Sequence, residues 1–209
     1  MKKLVLALSI VSLFGAVQVQ AKPEDVASLK AKLSEMKTYS AQFVQTVEDE
    51  QGTRVMEGKG KLLLESPLKM RWEQQEPDET LFVSNGKQGF YFDSFAEQVT
   101  VMDSAKLVEQ TPFVLLTSTQ SESWLRYDVT KKTSTYVITP ITQGDSQVER
   151  LVVAFDDTGI LKSVVLTDVS GQRSTYAFSE IKTNLTIPQS NFNFTIPEGV
   201  FVDDQTRSE

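Results

Sequence analysis

The stretch Ser66-Pro67-Leu68-Lys69-Met70-Arg71-Trp72-Glu73 decides how the chain folds. Leu68, Met70 and Trp72 alternate with Lys69, Arg71 and Glu73, so an extended backbone gathers the apolar side chains on one face and the charges on the other. Ser66-Pro67 ends whatever strand precedes it, because proline cannot donate to a sheet ladder. The segment therefore reads as a strand of an antiparallel sheet that is buried on one side.

The same pattern extends in both directions. Upstream, 62–65 closes the preceding strand, and Tyr39, Ala41, Phe43, Gln45 and Val47 share one side of an earlier strand, with Gln51-Gly52 as the turn between them. Pro23-Glu24-Asp25 opens a helix, since proline and acids suit a first turn, and Val26, Leu29, Leu33 and Met36 form its narrow aliphatic stripe. Downstream, Glu76-Pro77-Asp78 turns the chain into a strand through Phe82 and Val83. Asn85-Gly86 predicts a type I′ hairpin with both residues at positive φ, and Phe90-Tyr91-Phe92 forms the returning strand. A strand at 97–102 precedes a helical stretch at 104–117, which Pro112 splits in two. Strands return at 124–129, 135–139, 148–155, 160–167 and 173–178, linked by turns at Asp156-Asp157-Thr158-Gly159 and Ser170-Gly171. A turn or short helix at 188–191 and a mobile tail after Val202 end the chain.

No repeat or low-complexity segment divides residues 22–209, which read as a single domain. The pattern gives about eleven strands, and an up-and-down sheet of that size must curl or close. The few helices then fill its hollow with their stripes inward, so the fold class is mostly β with an α lid.

Residues 1–21 read as a signal peptide. Lys2 and Lys3 are the positive region, 4–17 the apolar region, and Val19-Gln20-Ala21 the cleavage site. The mature chain is expected to start at Lys22 and to be soluble outside the cytoplasm, in the periplasm. It has no cysteine to carry a lipid and no second apolar run of the roughly 20 residues that a membrane span needs. Removing Lys2 and Lys3 leaves 19 basic against 28 acidic side chains, a net charge of −9. That sign opposes binding to nucleic acid and to anionic membranes.

The chain contains no His and no Cys, which removes the usual neutral-pH base, the thiolate nucleophile, disulfides and the common zinc sites. Glu76, Asp78 and Glu79, like Asp156 and Asp157, fall in turns rather than in a cleft, so no acid and base pair is assigned and the chain is not read as an enzyme. Asp156-Asp157-Thr158-Gly159 lacks the further ligands of a calcium loop, and no other metal or cofactor site is expected. Gly58-Lys59-Gly60 and Ser84-Asn85-Gly86-Lys87 are too short for phosphate loops.

Two apolar sets should face one another. Leu29, Leu33, Met36, Phe113 and Leu116 lie on helices; Phe43, Leu62, Leu64, Met70, Trp72, Phe82, Phe90 and Phe92 lie on strands. Periodicity alone reads them as an ordinary solid core. The functional alternative is a lidded pocket for an apolar ligand.

Several stretches together resemble the LolA family: Phe43-Val44-Gln45-Thr46, Gly58-Lys59-Gly60, 66–72, Pro77-Asp78-Glu79, Val83-Ser84-Asn85-Gly86-Lys87, Thr111-Pro112-Phe113 and Pro197-Glu198-Gly199-Val200. The resemblance implies an incomplete antiparallel β-barrel covered by a helical lid, with a pocket between them for the acyl chains of lipoproteins. It implies a monomeric, non-enzymatic chaperone of lipoprotein transport that receives cargo from the LolCDE transporter of the inner membrane and hands it to LolB at the outer membrane. A lipid- or lipoprotein-sensing module on the same scaffold is the rival reading, and it would need a further C-terminal domain beyond Glu209. Many members carry an Arg immediately before the Pro of the strand break, where it helps hold the lid closed. Here that position is Ser66, and Arg71 alternates to the face opposite Met70 and Trp72.

Overall fold

A computed structural model describes residues 23–103, 112–118, 121–142 and 147–206. The expected signal peptide and Lys22 lie outside them, as do the 104–111 part of the expected helical stretch and residues 207–209. Helix α1 (Pro23–Glu35) leads into β1 (Thr38–Glu48), β2 (Arg54–Glu65), β3 (Lys69–Glu76), β4 (Thr80–Asn85), β5 (Gln88–Asp93) and β6 (Gln98–Asp103). Two single-turn helices follow, α2 (Pro112–Leu115) and α3 (Ser121–Trp124). The strands then resume as β7 (Tyr127–Lys132), β8 (Thr135–Pro140), β9 (Val148–Phe155), β10 (Leu161–Asp168) and β11 (Arg173–Thr183). A 3-10 turn at Gln189–Phe192 and β12 (Phe201–Asp204) complete the described chain.

All the strands belong to one sheet in the order β12-β6-β5-β4-β3-β2-β1-β11-β10-β9-β8-β7, and its edges β12 and β7 do not pair. The sheet is thus an unclosed, almost wholly antiparallel barrel of twelve strands. The twelfth strand corrects the expectation of a mobile tail. Phe201–Asp204 runs parallel to β6, where Phe201 N–H donates to the Glu97 carbonyl, so backbone pairing outweighs the freedom of a chain end. Trp124, expected to start a strand, instead ends α3, and its indole N–H donates to the Ser118 carbonyl at 3.0 Å. The hairpin at Asn85-Gly86 also differs. Gly86 alone takes positive φ (91°), as in a type II′ turn, while the Asn85 carboxamide oxygen accepts from the N–H groups of Lys87 and Gln88. The side chain closes the turn, so the Asn backbone need not become left-handed.

Strict alternation produces the inward face. In β1, Tyr39, Ala41, Phe43, Gln45 and Val47 are buried while their neighbours are more open. Register carries that face across the sheet, with Phe43 opposite Gly60 and Phe178, Leu62 opposite Trp72, Leu64 opposite Met70, and Trp72 opposite Phe82. Leu29 and Leu33 of α1 and the 113–116 turn pack into the hollow, in one buried cluster with Met102 on one side and Tyr136 and Ile138 on the other. Burying each such side chain contributes about 1.5–3 kcal/mol. Among the described residues no helix is long and apolar enough to cross a membrane.

A second, smaller core lies on the outer face. Val83, Phe90 and Val101 are cross-strand neighbours there, and the chain between β11 and β12 covers them, bringing Phe194 against Phe90 and Phe92 at 5.5 and 6.0 Å between ring centroids. Lys69 ties this covering segment to the sheet through Glu65 (2.7 Å) and Gln189 (2.5 Å), and Arg71 donates to the Asn191 carbonyl at 3.3 Å.

Candidate functional site

Four aromatic rings from separate elements meet on the inner face. Trp72 of β3 lies against Phe43 of β1 at 4.2 Å between centroids, against Phe113 of α2 at 4.8 Å and against Tyr176 of β11 at 4.9 Å. Phe113 and Tyr176 meet edge to face at 5.1 Å and 89°. Phe113 comes from the helical layer and the other three from the sheet, so these contacts join the two layers. Gly60 makes the arrangement possible. A Cβ at that position would sit on the Glu73 carbonyl oxygen and 2.5 Å from the Phe43 ring, so only glycine lets that ring cross β2.

Beside this cluster opens a cavity of about 420 Å³. Met70, Trp72, Phe82, Met102 and Phe113 make its walls apolar, and Tyr91, Thr100 and Tyr176 bring hydroxyl groups. The volume falls within the range of small-ligand sites. A second cavity of about 330 Å³ lies on the outer face, but Lys61, Arg71, Glu73, Glu180 and Lys182 line it, and that polarity does not suit hydrocarbon.

The predicted apolar sets separate into three groups. Leu29, Leu33, Leu62, Leu64 and Leu116 are fully packed, with Met36 half-buried against them, and that part of the interior is solid. Phe43, also buried, backs Trp72, while Met70, Trp72, Phe82 and Phe113 border the open cavity. Phe90 and Phe92 do not face it. Phe82 pairs with Tyr91, so period two sends Tyr91 inward and turns both phenylalanines outward onto Phe194. Tyr91, Thr100, Met102 and Tyr176 border the cavity without having been predicted to. Carrying the phase of Phe82 across the hairpin would have found Tyr91, whereas hydrophobicity alone favoured its neighbours.

The helical layer is fastened unequally. α1 is tied at both ends: Asp25 accepts from Lys131 N–H at 3.0 Å, Ser28 and Tyr136 hydroxyls are 2.9 Å apart, and Asn184 bridges the Lys37 N–H and the Glu35 carbonyl. The 113–118 turn receives one described side-chain hydrogen bond from the sheet, from Ser66 Oγ to the Thr117 carbonyl at 3.2 Å. Among the described residues it is otherwise held by the Trp124 indole N–H, which donates to the Ser118 carbonyl at 3.0 Å, and by apolar packing.

Polar groups cluster at one end of the inner face. Gln45 Nε2 donates to Tyr176 Oη at 3.0 Å and to Ser174 Oγ at 3.5 Å, while Gln45 Oε1 accepts from Gln74 Nε2 at 3.2 Å. Gln74 Oε1 in turn accepts from the Trp72 indole N–H at 3.3 Å. Burial pushes the Tyr176 phenol up to about 12, against the opposing pull of its hydrogen bonds with Ser174 and Gln45, so it stays protonated at neutral pH. The carboxylates considered for chemistry lie elsewhere. Asp156 accepts from the Thr158 hydroxyl and from the N–H groups of Thr158 and Ile160, and Glu76 pairs with Lys59 at 2.6 Å on the exposed surface.

The family model for outer membrane lipoprotein carrier protein LolA matches residues 34–195. The chain belongs to the LolA family. An outer-membrane lipoprotein carrier protein of Pseudoalteromonas translucida is 46% identical over 188 residues, covering 89% of this chain and 90% of that protein. One from Actinobacillus pleuropneumoniae serotype 3 is 36% identical over 205 residues, covering 98% and 94%. The fold of this LolA-family chain is similar to that of an uncharacterized conserved protein from Thermus thermophilus. That likeness has a TM-score of 0.51 at 10% identity and spans 86% of this chain and 99% of the other.

Proposed function

We propose that this protein is a periplasmic chaperone that shelters the acyl chains of outer-membrane lipoproteins between its sheet and its helical layer. The observation that carries the reading is the apolar cavity bounded by Met70, Trp72, Phe82 and Met102 and roofed by Phe113, an element that, among the described residues, packing and the bonds from Ser66 to Thr117 and from Trp124 to Ser118 hold in place. An acyl chain in water is unfavourable by about 0.8 kcal/mol for each exposed methylene, so lipid anchors do not cross an aqueous space unaided. The cavity as it stands is smaller than a lipid anchor of several chains. Loading therefore requires Phe113 to leave Trp72 and Tyr176, and the ring packing given up on opening is replaced by packing against the cargo. Met70 and Met102 suit this work because flexible thioethers adapt to irregular occupants.

No nucleotide, metal or catalytic residue has a part in this mechanism. The protein works as a monomer after loss of residues 1–21, and residues 22–209 act as one carrier domain. It accepts cargo from LolCDE and delivers it to LolB, and direction follows if its affinity lies between theirs. Trp72→Asp tests the cavity: a carboxylate there disfavours hydrocarbon, so release of lipoproteins from spheroplasts should fail while the circular dichroism spectrum stays native. Normal release by a folded Trp72→Asp protein would refute the assignment.

A further inference from the structure

The cavity wall changes character in one step toward its open side. Register aligns Trp72, Phe82, Tyr91 and Thr100 in a line across β3, β4, β5 and β6, and all four border the cavity. Two residues away along each strand, on the same inner face, the same pairing aligns Gln74, Thr80, Asp93 and Gln98. Every member of this second line is polar. On the opposite flank of the first line lie Met70 and Met102, only 1% and 6% exposed, whereas Tyr91 is 39% exposed. The bond from Ser66 to Thr117 fastens the roof at the break that leads into Met70, so the cavity is apolar where it is closed and polar where it opens. Three of the polar residues have partners within the protein. Gln74 is bonded to Trp72, Gln45 and the Glu76 carbonyl, Thr80 to the Tyr91 phenol, and Asp93 caps its turn by accepting from the N–H groups of Phe95 and Ala96. Gln98 is half-buried and, among the described residues, its side chain makes no hydrogen bond.

A carboxamide offers a carbonyl and N–H donors, the same complement as a peptide group, so it can give and accept a hydrogen bond with one peptide unit at once. We propose that this polar row receives the first peptide groups of the cargo polypeptide and that Gln98 bonds their main chain directly. This role rests on the acyl-chain reading of the cavity and adds the place where the polypeptide leaves it. The acyl chains then lie with their methyl ends toward Met70 and Met102, because hydrocarbon laid across the polar row would desolvate its groups without bonding them. Main-chain groups are common to all cargo, so the residues that follow the anchor need share no sequence.

The test uses the full mature chain and Gln98→Met, which keeps the length of the side chain and removes its hydrogen bonds. A fluorescent fatty-acyl probe is displaced from each protein by a short lipopeptide with an N-terminal S-(diacyloxypropyl)cysteine. The same is done with that lipopeptide N-methylated at the first two peptide bonds after the cysteine. Loss of one net hydrogen bond predicts that N-methylation weakens binding to the wild-type chain about threefold to tenfold. In Gln98→Met the two lipopeptides should bind about equally. Because the ratio is taken within one protein, a partly unfolded variant does not distort it. Equal affinity of the wild-type chain for both lipopeptides, or the same ratio in Gln98→Met, would overturn the proposal and leave the cavity reading standing. If the wild-type chain binds neither lipopeptide nor the fatty-acyl probe, the cavity reading itself fails.

Discussion

Ser66 Oγ donates to the Thr117 carbonyl at 3.2 Å, joining the break between β2 and β3 to the turn that carries Phe113. It occupies the position where the family resemblance leads to the expectation of an arginine latch. Arg71, the other cation on this segment, points outward to Glu73 and Asn191 and cannot substitute. A hydroxyl makes one bond where a guanidinium could make several, so this strand break holds the roof of the cavity through one described side-chain hydrogen bond.

Removing that bond should loosen the roof. Ser66→Ala is expected to speed amide hydrogen exchange at 116–118 about twofold to tenfold, the effect of one net hydrogen bond, with little change at β1 or β11. Ser66→Arg should slow entry of a fluorescent fatty-acyl probe. Exchange rates unchanged by Ser66→Ala would show that apolar packing and the Trp124 indole hold the turn without Ser66.

Gly60→Ala should be costly although it adds a single methyl group. The new Cβ collides with the Glu73 carbonyl and the Phe43 ring, so β3 or Phe43 must shift. Overpacking of this kind costs about 1–3 kcal/mol, readable as a lower urea midpoint at constant slope. Separation of Phe43 from Trp72 should also change the Trp72 fluorescence.

The outward turn of Phe90 and the inward turn of Tyr91 separate two phenotypes. Phe90→Ala should destabilise the segment around Phe194 by about 1–3 kcal/mol and leave acyl-probe affinity intact. Tyr91→Ala should change probe affinity with little effect on that segment, and the reverse pattern would contradict the register of β4 and β5.

Docking of the covering segment should depend on acid. Burial tends to raise the Glu65 carboxyl, but hydrogen bonds from Lys69 and Gln189 and the charge of Lys69 outweigh it, and its pKa falls below the ordinary 4.5. A lowered carboxylate favours the docked state above that value and loses its contribution as pH falls through the lowered one. Proteolysis near Gln189 should therefore rise on acidification. Glu65→Gln should show much of that sensitivity already at pH 7, with little further dependence from this group.

The β nature of the chain, its strand positions and most of its inward face followed from residue order, because period two is local and Leu68-Lys69-Met70-Arg71-Trp72 displays it without help. The helix that opens at Pro23 was equally legible. Other features depended on partners distant in the chain. Whether Phe90 or Tyr91 faces inward is a matter of register against Phe82, and the strand at Phe201–Asp204 exists only because β6 leaves an edge for it to join. The division of one apolar population into solid core, open cavity and outer cover also lay beyond periodicity. Leu62 and Trp72 carry the same alternation signal, and only tertiary packing leaves one sealed and the other beside a void, because packing depends on volumes meeting in three dimensions.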